Sequence, residues 1–160
     1  MNPRARELIG ALALIPHPEG GFYREIFRSA ARVTTAHGTQ RSALTTIYFL
    51  LAAGAFSAWH RVRSDEVWHW YEGGSLELLL AAPDFSDVQR LRLGTATDGT
   101  APVHTIPADW WQAARPLADY AFCGCTVAPG FEFEDFTLLR DDASGSEALR
   151  GAAPDLSLLL

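Results

Sequence analysis

The chain has 160 residues, 48% hydrophobic and 20% charged, the size and balance of one globular domain with a core of its own. Its net charge of −6 weighs against nucleic acid and against an anionic membrane surface, both of which need a basic face. No apolar run reaches the roughly eighteen residues a membrane-spanning helix needs.

The N-terminal stretch starts basic and holds a short apolar run, interrupted by Glu7 and without a small-residue cleavage pattern before His17. It predicts a short amphipathic helix over 4–13, with Leu8, Ile9 and Leu12 apolar, ended by Pro16 and Pro18, rather than a secretory leader. HPEGG at 17–21 reads as a turn in which Gly20 and Gly21 can take positive φ. Strands are predicted over 21–29, 44–51, 59–61, 66–72, 75–80, 88–93, 103–106, 111–113 and 120–127. Turn signals separate them, among them Ala53-Gly54, Gly73-Gly74, Pro83-Asp84 and Asp98-Gly99. Many short strands with frequent turns predict an all-β sandwich or barrel. Residues 141–160 suit one or two short helices, broken at Gly151 and Pro154, and the four leucines among 156–160 need a partner, either the barrel or another subunit. With no repeat and no linker, one domain spanning 1–160 is expected.

Cys123 and Cys125 form a C-x-C pair, which on a strand points to one face and strains a disulfide. They read as reduced, packed thiols in a cytoplasmic protein. All thirteen basic residues are arginine, so no lysine is available as Schiff base or general base. Neither a nucleophile elbow nor a phosphate-binding glycine loop occurs.

The informative stretch is Gly54 to Gly73. On a strand–turn–strand hairpin, His60 and Glu66 can point into one cavity, and imidazole with carboxylate suits Mn, Fe, Ni or Zn. A stable site needs three or four ligands, and the next candidate is the weak, neutral Gln112. A divalent transition metal held by His60, Glu66 and Gln112 therefore competes with a metal-free pocket that uses the same groups for hydrogen bonding and proton transfer. Strand alternation puts Trp68 on the face of Glu66 and His69 on the other face unless a bulge intervenes. The five tryptophans, Trp59, Trp68, Trp70, Trp110 and Trp111, lie in or beside these segments, which fits either core filling or an indole-lined cavity for a flat ring. His17 and Glu19 stand at a cavity mouth or form a capped turn.

The spacing Gly54–His60–Glu66–Gly73 resembles the first cupin motif, G-x5-H-x-H-x3-E-x6-G, with Val62 in place of the second histidine. PADWWQAARP at 107–116 is similar to the second motif, with Asp109 for its glycine, Gln112 for its histidine and Pro116 for its asparagine. With LIPHPEGGFYREIFRS (14–29), LTTIYFLL (44–51) and GCTVAPGFEFEDF (124–136), the chain resembles cupin family five over most of 14–136. The resemblance implies a jelly-roll β-barrel (a double-stranded β-helix) with short terminal helices, paired as a homodimer. It also implies pocket-facing Tyr48, His60, Glu66, Trp68, Trp111, Gln112 and Phe131, with Glu132, Asp135 and Phe136 at the pocket or the dimer seam. Three functions stay open. The first is an epimerase- or isomerase-like enzyme on a small polar or sugar-like ligand, with His60 as base and Tyr48 as acid, and with Trp68, His69, Trp111, Gln112 and Phe131 binding the ligand. The second is an oxygenase or hydrolase dependent on a metal at His60, Glu66 and Gln112, with His69 a further candidate. The third is a non-catalytic binding barrel.

Overall fold

The computed structural model describes residues 1–97 and 99–160. Of the turn expected at Asp98-Gly99, Asp98 lies outside the described residues, and Gly99 has a φ of 77°.

Helix α1 (Pro3–Ala11) starts where Pro3 can give up an N–H and the Asn2 side chain accepts from the Arg4 N–H. It ends in a double hydrogen-bonded turn. The Leu14 N–H donates to the Ile9 carbonyl and the Ala13 N–H to the Gly10 carbonyl. This turn requires Ala13 to hold a left-handed φ of 50°, a place usually given to glycine. Ala5 and Leu8 on the inner side of α1 are buried.

Two sheets face each other. One has the order β1 (Ile15–Pro16), β2 (Phe22–Arg28), β5 (Thr45–Ala52), β12 (Tyr120–Ala128), β7 (Asp65–Gly73), β10 (Val103–Ile106). The other runs β13 (Phe136–Leu138), β6 (Ser57–Val62), β11 (Trp111–Pro116), β8 (Leu76–Ala81), β9 (Val88–Leu93). A separate hairpin joins β3 (Arg32–Thr34) and β4 (Gln40–Ser42). Pairings between these strands are antiparallel.

The expected closed barrel is not what forms. Neither sheet returns to its first strand, and the fold is an open sandwich. Of the four outer strands, β1, β10 and β13 have only two, four and three residues, and the six-residue β9 bonds β8 alone. No outer strand of one sheet pairs with a strand of the other among the described residues, so side chains close the gap.

Strand alternation explains the core. Leu76, Leu78 and Leu80 of β8 point between the sheets, where they meet Phe49, Trp68 and Cys123 of the opposite sheet. Leu79 and Ala81 point outward and are covered by helix α2 (Ala143–Ala152) and the 3-10 turn Pro154–Leu159, through Leu149, Leu156 and Leu159. The Trp59 indole N–H donates to the Leu156 carbonyl at 3.0 Å. On the far side, α1 covers Leu50 and Phe122. The terminal leucines thus find their partner within the domain, except Leu158, which is exposed. The two cysteines are free and buried between the sheets.

Replacing Ala13 by glycine removes the left-handed strain at an exposed position without losing packing. The Ala13→Gly variant is expected to gain about 1 kcal/mol, raising Tm by about 2–4 °C in calorimetry. An unchanged or lowered Tm would show that the helix end relaxes without strain.

Candidate functional site

The site begins with the HPEGG turn. The His17 N–H donates to the Gly21 carbonyl and the Gly20 N–H to the His17 carbonyl. Gly20 has φ 111° and lies so close to the Phe56 backbone that a Cβ would run into its carbonyl. The Ala58 N–H bonds the Glu19 carbonyl at 2.7 Å. The turn is thereby pressed onto β6, and the Glu19 side chain enters the protein, where it is 8% exposed.

Three groups meet the Glu19 carboxyl. The Ser57 hydroxyl donates to Oε1 at 2.8 Å. His60 Nε2 lies 3.2 Å from Oε2, and His17 Nδ1 lies 3.5 Å from the same oxygen. His60 Nδ1 is 2.8 Å from the Ala58 carbonyl, which can only accept, so Nδ1 carries a proton. In the neutral ring Nε2 is then an acceptor. His17 Nδ1 accepts from the Glu19 N–H, which puts the His17 ring proton on Nε2. Burial pushes Glu19 up to about 8 from its ordinary 4.5, against the Ser57 hydrogen bond. Burial also lowers His60, against the opposing pull of Glu66 and the Ala58 carbonyl. His17 is lowered to about 4, first by burial and then by His60. The contact at 3.2 Å is therefore a hydrogen bond from a protonated Glu19 to a neutral His60, not an ion pair, because desolvation disfavours both charges.

Glu66 supplies a second buried carboxyl, raised mainly by burial. Its Oε2 accepts from Gln112 Nε2 at 2.6 Å, and Gln112 Oε1 accepts from the Trp68 indole N–H at 2.9 Å. This chain ties the two sheets together. Glu19, His60 and Glu66 form the deep end of a cavity of about 130 Å³. Tyr23, Ile47, Val62 and Val127 wall it, and Phe131, Phe133 and Phe136 lie toward its outer end beside Arg28, Glu25 and Glu132.

Of the residues expected at the pocket, His60, Glu66 and Phe131 line this cavity, as do Glu132 and Phe136, whereas Asp135 is turned to the Arg41 guanidinium. Trp68 and Gln112 stand behind Glu66. Tyr48 is not brought to it. It lies on the outer face of its sheet, with its ring 5.4 Å from Phe122 and 6.2 Å from Tyr71. His69 follows strand alternation away from Trp68, level with Val103 and Gly124. Trp111 cannot share a face with its neighbour Gln112. It stacks on Phe85 under the Arg61 guanidinium, outside the inter-sheet core. No tryptophan lines the cavity, whose aromatic walls are tyrosine and phenylalanine.

The metal expectation is corrected too. Among the described residues no group of three or more His, Cys, Asp or Glu side chains is arranged to hold an ion. In the expected set, His60 Nε2 faces Glu19, the Gln112 carbonyl oxygen faces an indole N–H, and Val62 fills the place of the second histidine with an apolar side chain. Sequence reasoning left out His17 and Glu19 as central groups. The signal for them is the Gly20-Gly21 pair, which permits a turn tight enough to bury its own glutamate.

An antiparallel sandwich with a small, largely apolar cavity that holds a few buried polar groups between its sheets defines the class. The Cupin superfamily (DUF985) model matches residues 6–139, and the chain belongs to that family. A hypothetical protein of Leishmania major is 30% identical, with a TM-score of 0.85 over 97% of this chain and 95% of the other. A protein of Shewanella oneidensis is 32% identical, with a TM-score of 0.82 over 97% and 93%. An uncharacterized protein of Saccharomyces cerevisiae is 25% identical over 153 residues, 86% of this chain and 76% of its own. Oxalate decarboxylase of Bacillus subtilis shares the fold at 16% identity, with a TM-score of 0.59 over 91% of this chain and 36% of the enzyme.

The shifted groups give the protein a testable pH dependence. Between pH 4.5 and about 8 the folded chain keeps the Glu19 proton that the unfolded chain has lost, so this group's contribution to stability falls as pH rises. His17 acts oppositely, adding stability as pH rises from about 4 to 6.5, and is spent above that. From pH 6.5 to 8, denaturant unfolding of Glu19→Gln is expected to lose stability less steeply than the parent, by up to about 1.4 kcal/mol per pH unit, the limit for one proton. Equal slopes would mean that Glu19 is ionised in the fold.

Proposed function

We propose that the cavity is an acid–base site that moves a proton on a small polar molecule, in the manner of an isomerase or epimerase. The observation that carries this is the burial of two carboxyls and an imidazole around one small cavity, with no cation against them among the described residues. Burial raises both carboxyls from the ordinary carboxylate range toward neutrality, where both protonation states are accessible, and keeps His60 neutral as a hydrogen-bond acceptor. Glu66 as carboxylate takes a C–H proton acidified by a neighbouring carbonyl. The Glu19 hydroxyl, backed by His60, returns a proton to carbon or to the carbonyl oxygen. The His17 N–H at Nε2 has no protein partner among the described residues and is available to a ligand oxygen. Glu19 takes the acid role that the sequence assigned to Tyr48.

The test is deuterium wash-in from D2O into a panel of aldoses, ketoses and amino sugars, read by mass spectrometry. The parent chain is expected to label at least one of them at a non-exchangeable carbon. Glu19→Gln and Glu66→Gln, with unchanged circular dichroism, are expected to slow this about 10²–10⁴-fold. Saturable binding of panel members with no label in any would make the chain a binding protein and end the catalytic reading.

We further propose that two copies pair through the outer face of the six-stranded sheet. Phe27, Tyr71 and Val103 are 52%, 44% and 47% exposed there, apolar area that α1 leaves uncovered. No helix among the described residues is long and apolar enough to cross a membrane, and the free buried thiols support a cytoplasmic setting. Light scattering at micromolar concentration is expected to give twice the chain mass, and a monomeric mass would contradict pairing.

A further inference from the structure

Accepting the cavity as a ligand site, as proposed above, we infer that its ligand carries a positive charge, an ammonium or methylated ammonium group, seated against Phe131, Phe133 and Phe136 and facing Glu25 and Glu132. The three phenyl rings stand at 82°, 68° and 78° to one another, with centroids 5.1, 6.1 and 6.2 Å apart. Rings turned in three directions form a corner, and a cation is drawn to ring faces. Phe133 is 52% exposed, so one of these rings is kept in water instead of being buried in the core.

Charge points the same way. Among the described residues Arg28 is the sole arginine lining the cavity, and the chain has no lysine. Its guanidinium is already occupied. Nε and Nη2 donate to the two Glu25 oxygens at 3.0 and 2.8 Å, Nη1 to Glu132 Oε1 at 2.6 Å, and Nη2 also to the Phe131 carbonyl. One guanidinium against two carboxylates leaves this end of the cavity negative. Glu132 meets Arg28 through Oε1 alone, leaving Oε2 without a protein partner among the described residues. An anionic ligand would have to displace a carboxylate from Arg28 and then sit beside it, whereas a cation completes the cluster as it stands. Size is also compatible. An apolar cavity of about 150 Å³ holds a six-atom ring, so this one of about 130 Å³ takes a comparably small head group.

The experiment titrates the full-length chain with three probes of matched shape, choline, the neutral 3,3-dimethylbutan-1-ol and the anionic 3,3-dimethylbutanoate, following backbone amides by NMR. Choline is expected to saturate, to shift the amides of 131–136, and to bind at least about tenfold more tightly than the neutral isostere, with the anion weakest. Glu132→Gln and Phe133→Leu, both at exposed side chains whose loss leaves the core intact, are expected to weaken choline several-fold and to leave the neutral isostere unchanged. Equal or tighter binding of the alcohol or the acid, choline shifts elsewhere on the surface, or no saturation by any probe would overturn the inference. The readout needs no turnover, so it separates from the acid–base reading. Choline binding in a chain that washes no deuterium into any compound sinks the reaction and keeps the cation site. Wash-in confined to neutral or anionic compounds does the reverse.

Discussion

Glu19 is a carboxyl carried into the protein interior with no cation to meet it, and much of the site depends on how that is tolerated. An ionised carboxylate there would forfeit its hydration for little return. Keeping the proton lets it donate to His60 Nε2 while Ser57 donates to the other oxygen. That arrangement holds only if His60 presents an acceptor at Nε2, which the Ala58 carbonyl secures by taking the Nδ1 proton. It also needs a turn that aims a glutamate inward, which Gly20 permits by its φ of 111° against the Phe56 carbonyl. Tautomer, turn and protonation state are therefore one constraint met by residues from two chain segments.

Glu66 meets the same difficulty differently. Its partner is Gln112, whose amide is held in turn by the Trp68 indole. This hydrogen-bonded chain crosses from one sheet to the other at the level of the cavity, so the bonds that satisfy the second carboxyl also fix how far apart the sheets stand. Where sheets are joined by side chains rather than by a continuous ladder, such cross-links set the shape of the space between them.

Much of the fold was legible in the sequence because burial follows period two. Strands β2, β5, β6, β7, β8, β9, β10, β11 and β12 fall where the sequence predicts them. The short strands β1, β3, β4 and β13 escaped because two or three residues carry no period. An open sandwich and a closed barrel demand the same alternation, so the sequence could not choose between them. At the site, the spacing of His60 and Glu66 was informative because they sit on consecutive strands, although β6 and β7 do not pair as the expected hairpin: the chain crosses from one sheet to the other between them, and the two side chains meet across the cavity. Glu19 reaches Ser57 and His60 only through tertiary folding across some forty residues, which no local pattern records. Tyr48 and Trp111 were misplaced for a simpler reason. Lying beside a motif says nothing about which side of the sheet a residue faces, and parity sends both to the outer faces.

The segment after Leu139 shows that the family model and the fold draw their borders in different places. The family model stops at residue 139, yet the outer surface of the five-stranded sheet is dry because Leu149, Leu156 and Leu159 lie on it and the Leu156 carbonyl takes the Trp59 N–H. A fragment cut where the family model stops would uncover Trp59 and Trp111 together and present water with a broad indole surface. The stretch beyond the family model is a wall of the building, and the Leishmania major and Shewanella oneidensis relatives, which align over 97% of this chain, extend across it as well.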